Sequence, residues 1–281
     1  MAQILSGAEV VAALNERTAR AAEELKAQGI YPQLAIVRLG KRADEISYER
    51  GATKRCEAVG VLVKSFALPE EATQDELLSL IHELNADATV HGVLLLRPLP
   101  AHLDDDVVRN ALDANKDIDG ITDKTSAAVF TSRQGSFVPC TPHACMEILD
   151  HFGIKLAGKR AVVVGRSLVV GKPVALMLLD RNTTVTLAHS HTVDLPAVVR
   201  DADIVIACVG QAKMLGAEYL RAGQIVIDVG INVDETGALV GDVDFEAALE
   251  VVEALTPVPG GVGTVTTSVL AKHVVQAAER A

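Results

Sequence analysis

Short runs rich in β-branched apolar residues alternate with amphipathic helical patterns almost from end to end of this 281-residue chain. No other feature constrains the fold as strongly. Residues 8–28 space Val11, Leu14, Thr18, Ala21 and Leu25 along one helical face. Residues 33–39 (QLAIVRL) read as a buried strand, 44–59 as a helix stopped by Gly60, and 61–68 as a second strand. Thr73 and Glu76 carry the capping-box signature of the next helix, and 90–96 read as a third strand ended by Pro98 and Pro100. A second series begins near residue 160, with strands at 160–164, 184–188, 204–208 and 224–229, a helix at 171–180 and a last helix at 266–280. Such alternation predicts parallel sheets with helices on both faces. The polar stretch 131–142 (TSRQGSFVPCTP) separates the two series. The expected architecture is α/β and two-lobed, with a cleft between the lobes. The first lobe takes 1–138 and is completed by the C-terminal helix 264–281, and the second takes 139–263.

Composition narrows the function classes. Lys plus Arg number 26 against 37 Asp plus Glu, a net charge of −11. An acidic chain lacks the clustered positive charge that nucleic acid requires, but small phosphate compounds need only a local site. Apolar runs such as 93–96 are far too short to cross a bilayer, and MAQILSGAEV lacks the pattern of an export signal. Cys56, Cys140, Cys145 and Cys208 are scattered with no CxxC pair, which argues against a disulfide framework or a zinc site and for a reducing compartment. With 3% aromatics and no Trp, the core must be built from Ala, Val, Leu and Ile.

The sharpest local signal is 162–173 (VVVGRSLVVGKP), a buried strand running into a tight turn and then a helix near Gly171. A dinucleotide site needs that context, because glycine lets backbone approach a pyrophosphate and a helix N-terminus carries positive potential. The spacing departs from GxGxxG: Ser167 takes the second glycine's place and one extra residue precedes Gly171. The bland alternative is a structural βα turn. Arg166 suits a ribose 2′-phosphate, or is merely a solvated arginine. Ser190 stands at the next strand end, where NAD sites often carry an acid, so the pattern favours NADP over NAD.

Further stretches resemble one family in its own order: HGVLLLRPLP at 91–100, KDIDG at 116–120, PCTP at 139–142, the 164–173 turn, HSHT at 189–192, VIDVGIN at 226–232, GDVDF at 241–245 and TPVPGGVG at 256–263. The chain is similar to the FolD family, methylenetetrahydrofolate dehydrogenase/cyclohydrolase. The resemblance implies a Rossmann-like NAD(P)-binding domain beside an α/β N-terminal catalytic domain. It also implies a cytoplasmic homodimer that acts on tetrahydrofolate derivatives, with no nucleic acid or membrane partner. Hydride would pass from 5,10-methylenetetrahydrofolate to NADP+ (NAD+ being possible), and many members then hydrolyse the methenyl product. Asp119 resembles the carboxylate that grips the pterin, a task suited to two charge-assisted hydrogen bonds. The alternative is a turn aspartate, a role that Asp117 can equally fill. Tyr48 resembles the tyrosine beside the folate ring, against the plain reading of a half-buried helix tyrosine. Pro259, Gly260 and Gly261, followed by Val262, resemble the loop meeting substrate and nicotinamide. Gly165, Arg166, Ser167, Gly171, Pro173, Ser190 and Ile231 are the implied cofactor contacts.

Two departures bear on mechanism. The family's cyclohydrolase lysine stands four residues after the tyrosine, and here that position is Ala52. Lys54 lies roughly 120° round the helix from Tyr48, too far to substitute. The glutamine partner of that lysine is replaced by Leu96, with Arg97 next to it. A guanidinium is a poor general base. The expectation is a dehydrogenase with weak or lost cyclohydrolase activity. Smaller departures are Thr264 and Val265 after the last glycine, and His191 where a lysine is common. The rival readings are an intact bifunctional enzyme, a non-catalytic folate or nucleotide sensor, and another two-lobed dehydrogenase. The last predicts a Lys–Asp pair that the sequence does not offer. His189 and His191 alternate at a strand end and are expected to face opposite ways, and His91, His143 and His273 show no partner pattern. No metal site is predicted.

Overall fold

The computed structural model describes residues 2–133 and 135–281. In chain order, β1 (Gln3–Ile4) and α1 (Gly7–Ala27) precede β2 (Gln33–Leu39), α2 (Ala43–Ala58), β3 (Leu62–Leu68), α3 (Gln74–Ala86) and β4 (Gly92–Leu95). Two short helices follow, α4 (Asp105–Ala111) and α5 (Asp123–Phe130), then α6 (Cys140–His151). The second series is β5 (Arg160–Val164), α7 (Gly171–Asp180), β6 (Thr184–Ala188), α8 (Leu195–Asp201), β7 (Ile204–Ala207) and β8 (Ile225–Asp228). The hairpin β9 (Asn232–Val233) and β10 (Leu239–Val240), α9 (Phe245–Leu249), β11 (Ala254–Leu255) and α10 (Val262–Ala278) complete it.

The chain divides into two compact units. One takes the first dozen residues or so and Thr141–Thr266; the other takes Ala13–Cys140 and Thr267–Ala281. The chain's start therefore belongs to the C-terminal unit, not to the first lobe as chain order suggests, because β1 pairs with β11.

The N-terminal unit is built on a three-stranded parallel sheet in the order β3-β2-β4. Central β2 is buried along nearly its whole length, whereas edge strand β3 has only exposed and half-buried positions. Val37, Val93 and Leu95 of the sheet pack with Leu77, Ile81 and Leu84 of α3. Helix α3 opens as expected: the Thr73 hydroxyl accepts from the Glu76 N–H at 3.3 Å, and the Glu76 carboxylate accepts from the Thr73 N–H at 2.8 Å.

The C-terminal unit carries a six-stranded parallel sheet in the order β1-β11-β8-β7-β5-β6. The strands β5, β7 and β8 are buried apolar runs, as a sheet covered on both faces requires. The order reverses direction between β5 and β7, and a doubly wound sheet presents its ligand crevice at that switch point. Helix α10 starts four residues earlier than the expected 266. Gly263 lies inside its first turn, so the glycine-rich sequence there is helical rather than loop.

Candidate functional site

Within the N-terminal unit, α2 and the segment after β4 bring together residues far apart in sequence. Tyr48 of α2 is 37% exposed. Burial of its phenol, and then the nearby Asp119 carboxylate, hold that group well above the usual tyrosine range. Asp119 is half-buried, and burial pushes its carboxyl up to about 6. The thiol and backbone N–H of Cys140 donate to it and oppose that rise, as does the charge of Arg97, while neighbouring Asp117 adds to it. Cys140 is 1% exposed, and its own burial keeps it a thiol and hence a donor. The His273 ring Nδ1 lies 2.7 Å from the Ile118 carbonyl and Cys140 Sγ 3.3 Å from it, so the peptide leading into Asp119 is held from α6 and α10. Nothing local in the PCTP stretch marks a role for Cys140; only the tertiary fold brings it to Asp119.

Asp117 and Asp119 divide the two tasks weighed for KDIDG. Asp117 is fully buried and accepts from the Ile121 N–H at 3.0 Å, the Thr122 N–H at 2.8 Å and the Thr125 hydroxyl at 2.7 Å. It is the turn aspartate, which leaves Asp119 with unspent acceptor capacity.

The departures are equally visible. Ala52 is fully buried on α2 in a stripe with Glu45 and Cys56, and Lys54 is exposed. Leu96 is 6% exposed, its N–H bonded to the Val37 carbonyl at 2.9 Å. Arg97 is held bidentately by Asp105, with Nε at 2.7 Å from Oδ1 and a second bond from Nη2 to Oδ2.

Within the C-terminal unit, β5 is followed directly by Gly165, whose φ is +132°. A Cβ there would lie 2.3 Å from the Cys208 carbonyl oxygen, so only glycine lets the turn pass that close to β7. The first amides of α7 are already partly satisfied within the chain. Ser167 Oγ accepts from the Val170 and Gly171 N–H groups at 3.1 and 3.3 Å, the Ser167 carbonyl takes the Lys172 N–H, and Pro173 has none. Among the described residues, the N–H groups of residues 166–169 have no partner within the chain. Arg166 and Ser190 are exposed, and among the described residues Arg166 makes no ion pair. An unpaired arginine, unspent amides and a turn too tight for a side chain, at the positive end of a ten-residue helix, fit a phosphorylated dinucleotide.

His189 and His191 correct the expectation of opposite faces. The strand β6 stops at Ala188, and residues 189–192 form a turn. The rings come within 6.0 Å, and His189 Nδ1 accepts from the His191 N–H at 3.2 Å. Pro259 and Gly260 are exposed and Gly261 is buried. Ile231 is 65% exposed, with its Cδ1 3.1 Å from where a Cβ on Gly263 would stand, so this side chain lies against the first turn of α10.

Two family models cover most of the chain. The tetrahydrofolate dehydrogenase/cyclohydrolase catalytic domain matches residues 5–119, and the NAD(P)-binding domain of the same family matches residues 139–281. The chain belongs to the tetrahydrofolate dehydrogenase/cyclohydrolase family. It is 46% identical over 275 residues to the bifunctional protein FolD of Clostridioides difficile, covering 98% of this chain and 96% of that one. The FolD crystal structure from Campylobacter jejuni superimposes with a TM-score of 0.97 at 37% identity, covering 100% and 99% of the two chains. The Trypanosoma brucei FolD, solved with NADP and an inhibitor, gives a TM-score of 0.93 at 34% identity over 99% and 98%. The unit bearing the Gly165 turn is accordingly the family's NAD(P)-binding domain.

Proposed function

We propose that this enzyme oxidises 5,10-methylenetetrahydrofolate to the 5,10-methenyl compound, and that its ability to hydrolyse that product is crippled or absent. The observation that carries the second half is Ala52, an apolar buried residue where the family's lysine would stand, with Leu96 in place of its amide partner.

The two half-reactions ask different things of the protein. The bridge methylene sits between two nitrogens whose lone pairs stabilise the cation formed as hydride leaves. That step needs orientation and exclusion of water rather than a strong acid or base. NADP+, when bound, supplies the hydride acceptor. Asp119, with Cys140 donating to it and Asp117 committed elsewhere, offers a carboxylate for paired N–H donors of a pterin. Tyr48 supplies a ring beside it. Arg166 and the amides of 166–169 take the cofactor's phosphates, Ser190 faces its ribose, and Pro259, Gly260, Gly261 and Ile231 line the reacting rings. Hydrolysis additionally needs a water activated at the bridge carbon. Lys54 is exposed on another face, and Arg97 is committed to Asp105 and does not deprotonate.

We further take the protein to be a cytoplasmic homodimer, on its resemblance to the family; sedimentation at micromolar concentration tests the dimer. A product that this chain does not hydrolyse must be consumed by a separate methenyl hydrolase. The deciding experiment offers purified protein both substrates. Reduction of NADP+ with methylenetetrahydrofolate, alongside methenyl hydrolysis at the buffer rate, is the expected result. Hydrolysis well above that rate removes the second half of the proposal.

A further inference from the structure

Two stretches noted for their family resemblance, 226–232 and 241–245, contain acids that no step above uses. Asp228 closes β8 and Asp242 follows β10, and they are 3% and 0% exposed. The Asp242 carboxylate accepts from the Val209 N–H at 2.6 Å, the Gly210 N–H at 3.1 Å, the Gln211 N–H at 2.9 Å and Asn232 Nδ2 at 3.0 Å. Consecutive backbone N–H groups converging on one point form an anion-binding concavity. Here the chain fills it with its own carboxylate. Asp228 in turn accepts from the N–H groups of Gly230 at 3.0 Å, Asp242 at 3.0 Å and Val243 at 2.9 Å. Packing is tight enough that a Cβ on Gly241 would lie 1.8 Å from Asp228 Oδ2, and one on Gly230 2.3 Å from Asp242 Oδ1.

These two acids tie together the loops that leave the carboxyl ends of β7 and β8. In a doubly wound sheet the dinucleotide spreads across that edge, one mononucleotide to each half. The end of β6, where Ser190 stands, serves the adenosine ribose, so β7 and β8 serve the nicotinamide. Exposed Ile231 sits between Gly230, bonded to Asp228, and Asn232, bonded to Asp242. We infer that Asp242, backed by Asp228, is a positioning residue for the nicotinamide half of the cofactor: it fixes the backbone of residues 209–211 and the ledge that carries Ile231. The inference rests on the NADP reading above. A carboxylate is needed because all four of its partners are donors, and an amide would turn its own NH2 toward some of them.

The test uses Asp242→Asn in the full chain. Titration calorimetry without folate is expected to give a Kd for NADP+ about tenfold weaker, the loss of one charge-assisted hydrogen bond. The KM for methylenetetrahydrofolate should stay within about twofold, a split that general loosening of the fold would not produce. Hydrogen exchange at the amides of Val209, Gly210 and Gln211 should accelerate in the free protein. Asn232→Ala, at a partly exposed position, gives a smaller loss of NADP+ affinity and carries the test should the first variant not fold. Unchanged Kd and unchanged exchange in a wild type that binds NADP+ overturn this inference alone. A wild type that binds no NADP+ overturns the cofactor reading and this inference with it.

Discussion

Ala52 follows Tyr48 by one turn of α2, and where Tyr48 is 37% exposed Ala52 is wholly buried. Residues four apart share a helix face. A long side chain placed at 52 would therefore start beneath the phenol ring. Ala52→Lys with Leu96→Gln is expected to raise methenyl hydrolysis at least about 100-fold, the lower range for positioned acid–base catalysis, with Leu96→Gln alone giving no rise. Overfilling the buried site should cost about 1–3 kcal/mol of stability. A stopped assay of methenyl loss, with thermal melts of the same variants, checks both.

Lys54 is expected to be silent. It is exposed, and among the described residues it makes no ion pair. Lys54→Ala should leave dehydrogenase rates within about twofold and stability within about 0.5 kcal/mol, as surface changes usually do. A sharp fall in either activity would show that this lysine reaches the substrate after all.

Asp119 is expected to set the acid limb of the reaction. Its carboxyl is raised to about 6, first by burial, and it must be ionised to accept two donors. The rate kcat/KM for the folate should therefore fall as pH drops through about 6. For stability the sign is opposite. A carboxyl whose folded value lies above its unfolded one favours folding more as pH falls from above 6 toward 4, so its charge at pH 7.5 is a cost. Asp119→Asn should lose at least about 100-fold in kcat/KM, as losing a charged partner of a buried donor pair does. It should also melt higher than wild type at pH 7.5, and that advantage should shrink by pH 5. Melting curves at the two pH values decide it; a gap that does not close with acid would mean that the carboxyl titrates normally.

Arg166 should govern the choice between cofactors. It is exposed just beyond β5, it pairs with no acid among the described residues, and Ser190 holds the position where a 2′-hydroxyl would be gripped. Arg166→Ala is expected to raise KM for NADP+ about 10- to 100-fold, the worth of a charged hydrogen bond, and to leave KM for NAD+ little changed. Initial rates with both cofactors measure the ratio, and equal losses for the two would place the arginine elsewhere.

Much of this was readable in the residues because apolar periodicity survives almost intact in βα units. The strands at 33–39, 160–164 and 184–188 and the Thr73–Glu76 cap follow from local pattern alone. Helices α4 and α5 escaped it because seven or eight residues are too few to show a period. Their signal is in the caps, Asp104 and Thr122, whose side chains accept from backbone amides. The run 131–142 reads as a break because of its glycine and prolines, yet α6 begins inside it at Cys140. Site chemistry was legible where it is local, as in the Gly165 turn, and hidden where it is tertiary. Cys140 reaches Asp119 across 21 positions, and Asp242 reaches Val209 across 33. Ser167 is an intermediate case: its place in the turn was plain, but its hold on the first amides of α7 was not.

The pairing of β1 with β11 has a practical consequence for anyone who would dissect this enzyme. The polypeptide enters the larger sheet's unit, leaves it before residue 13, returns at Thr141 and leaves again after Thr266. A gene severed once, between the two matched domains, would strip the six-stranded sheet of its outermost strand and the other fragment of its closing helix. The bared flank of β11 would then be a template for aggregation. Grafting either module onto a relative needs three splice junctions, not one.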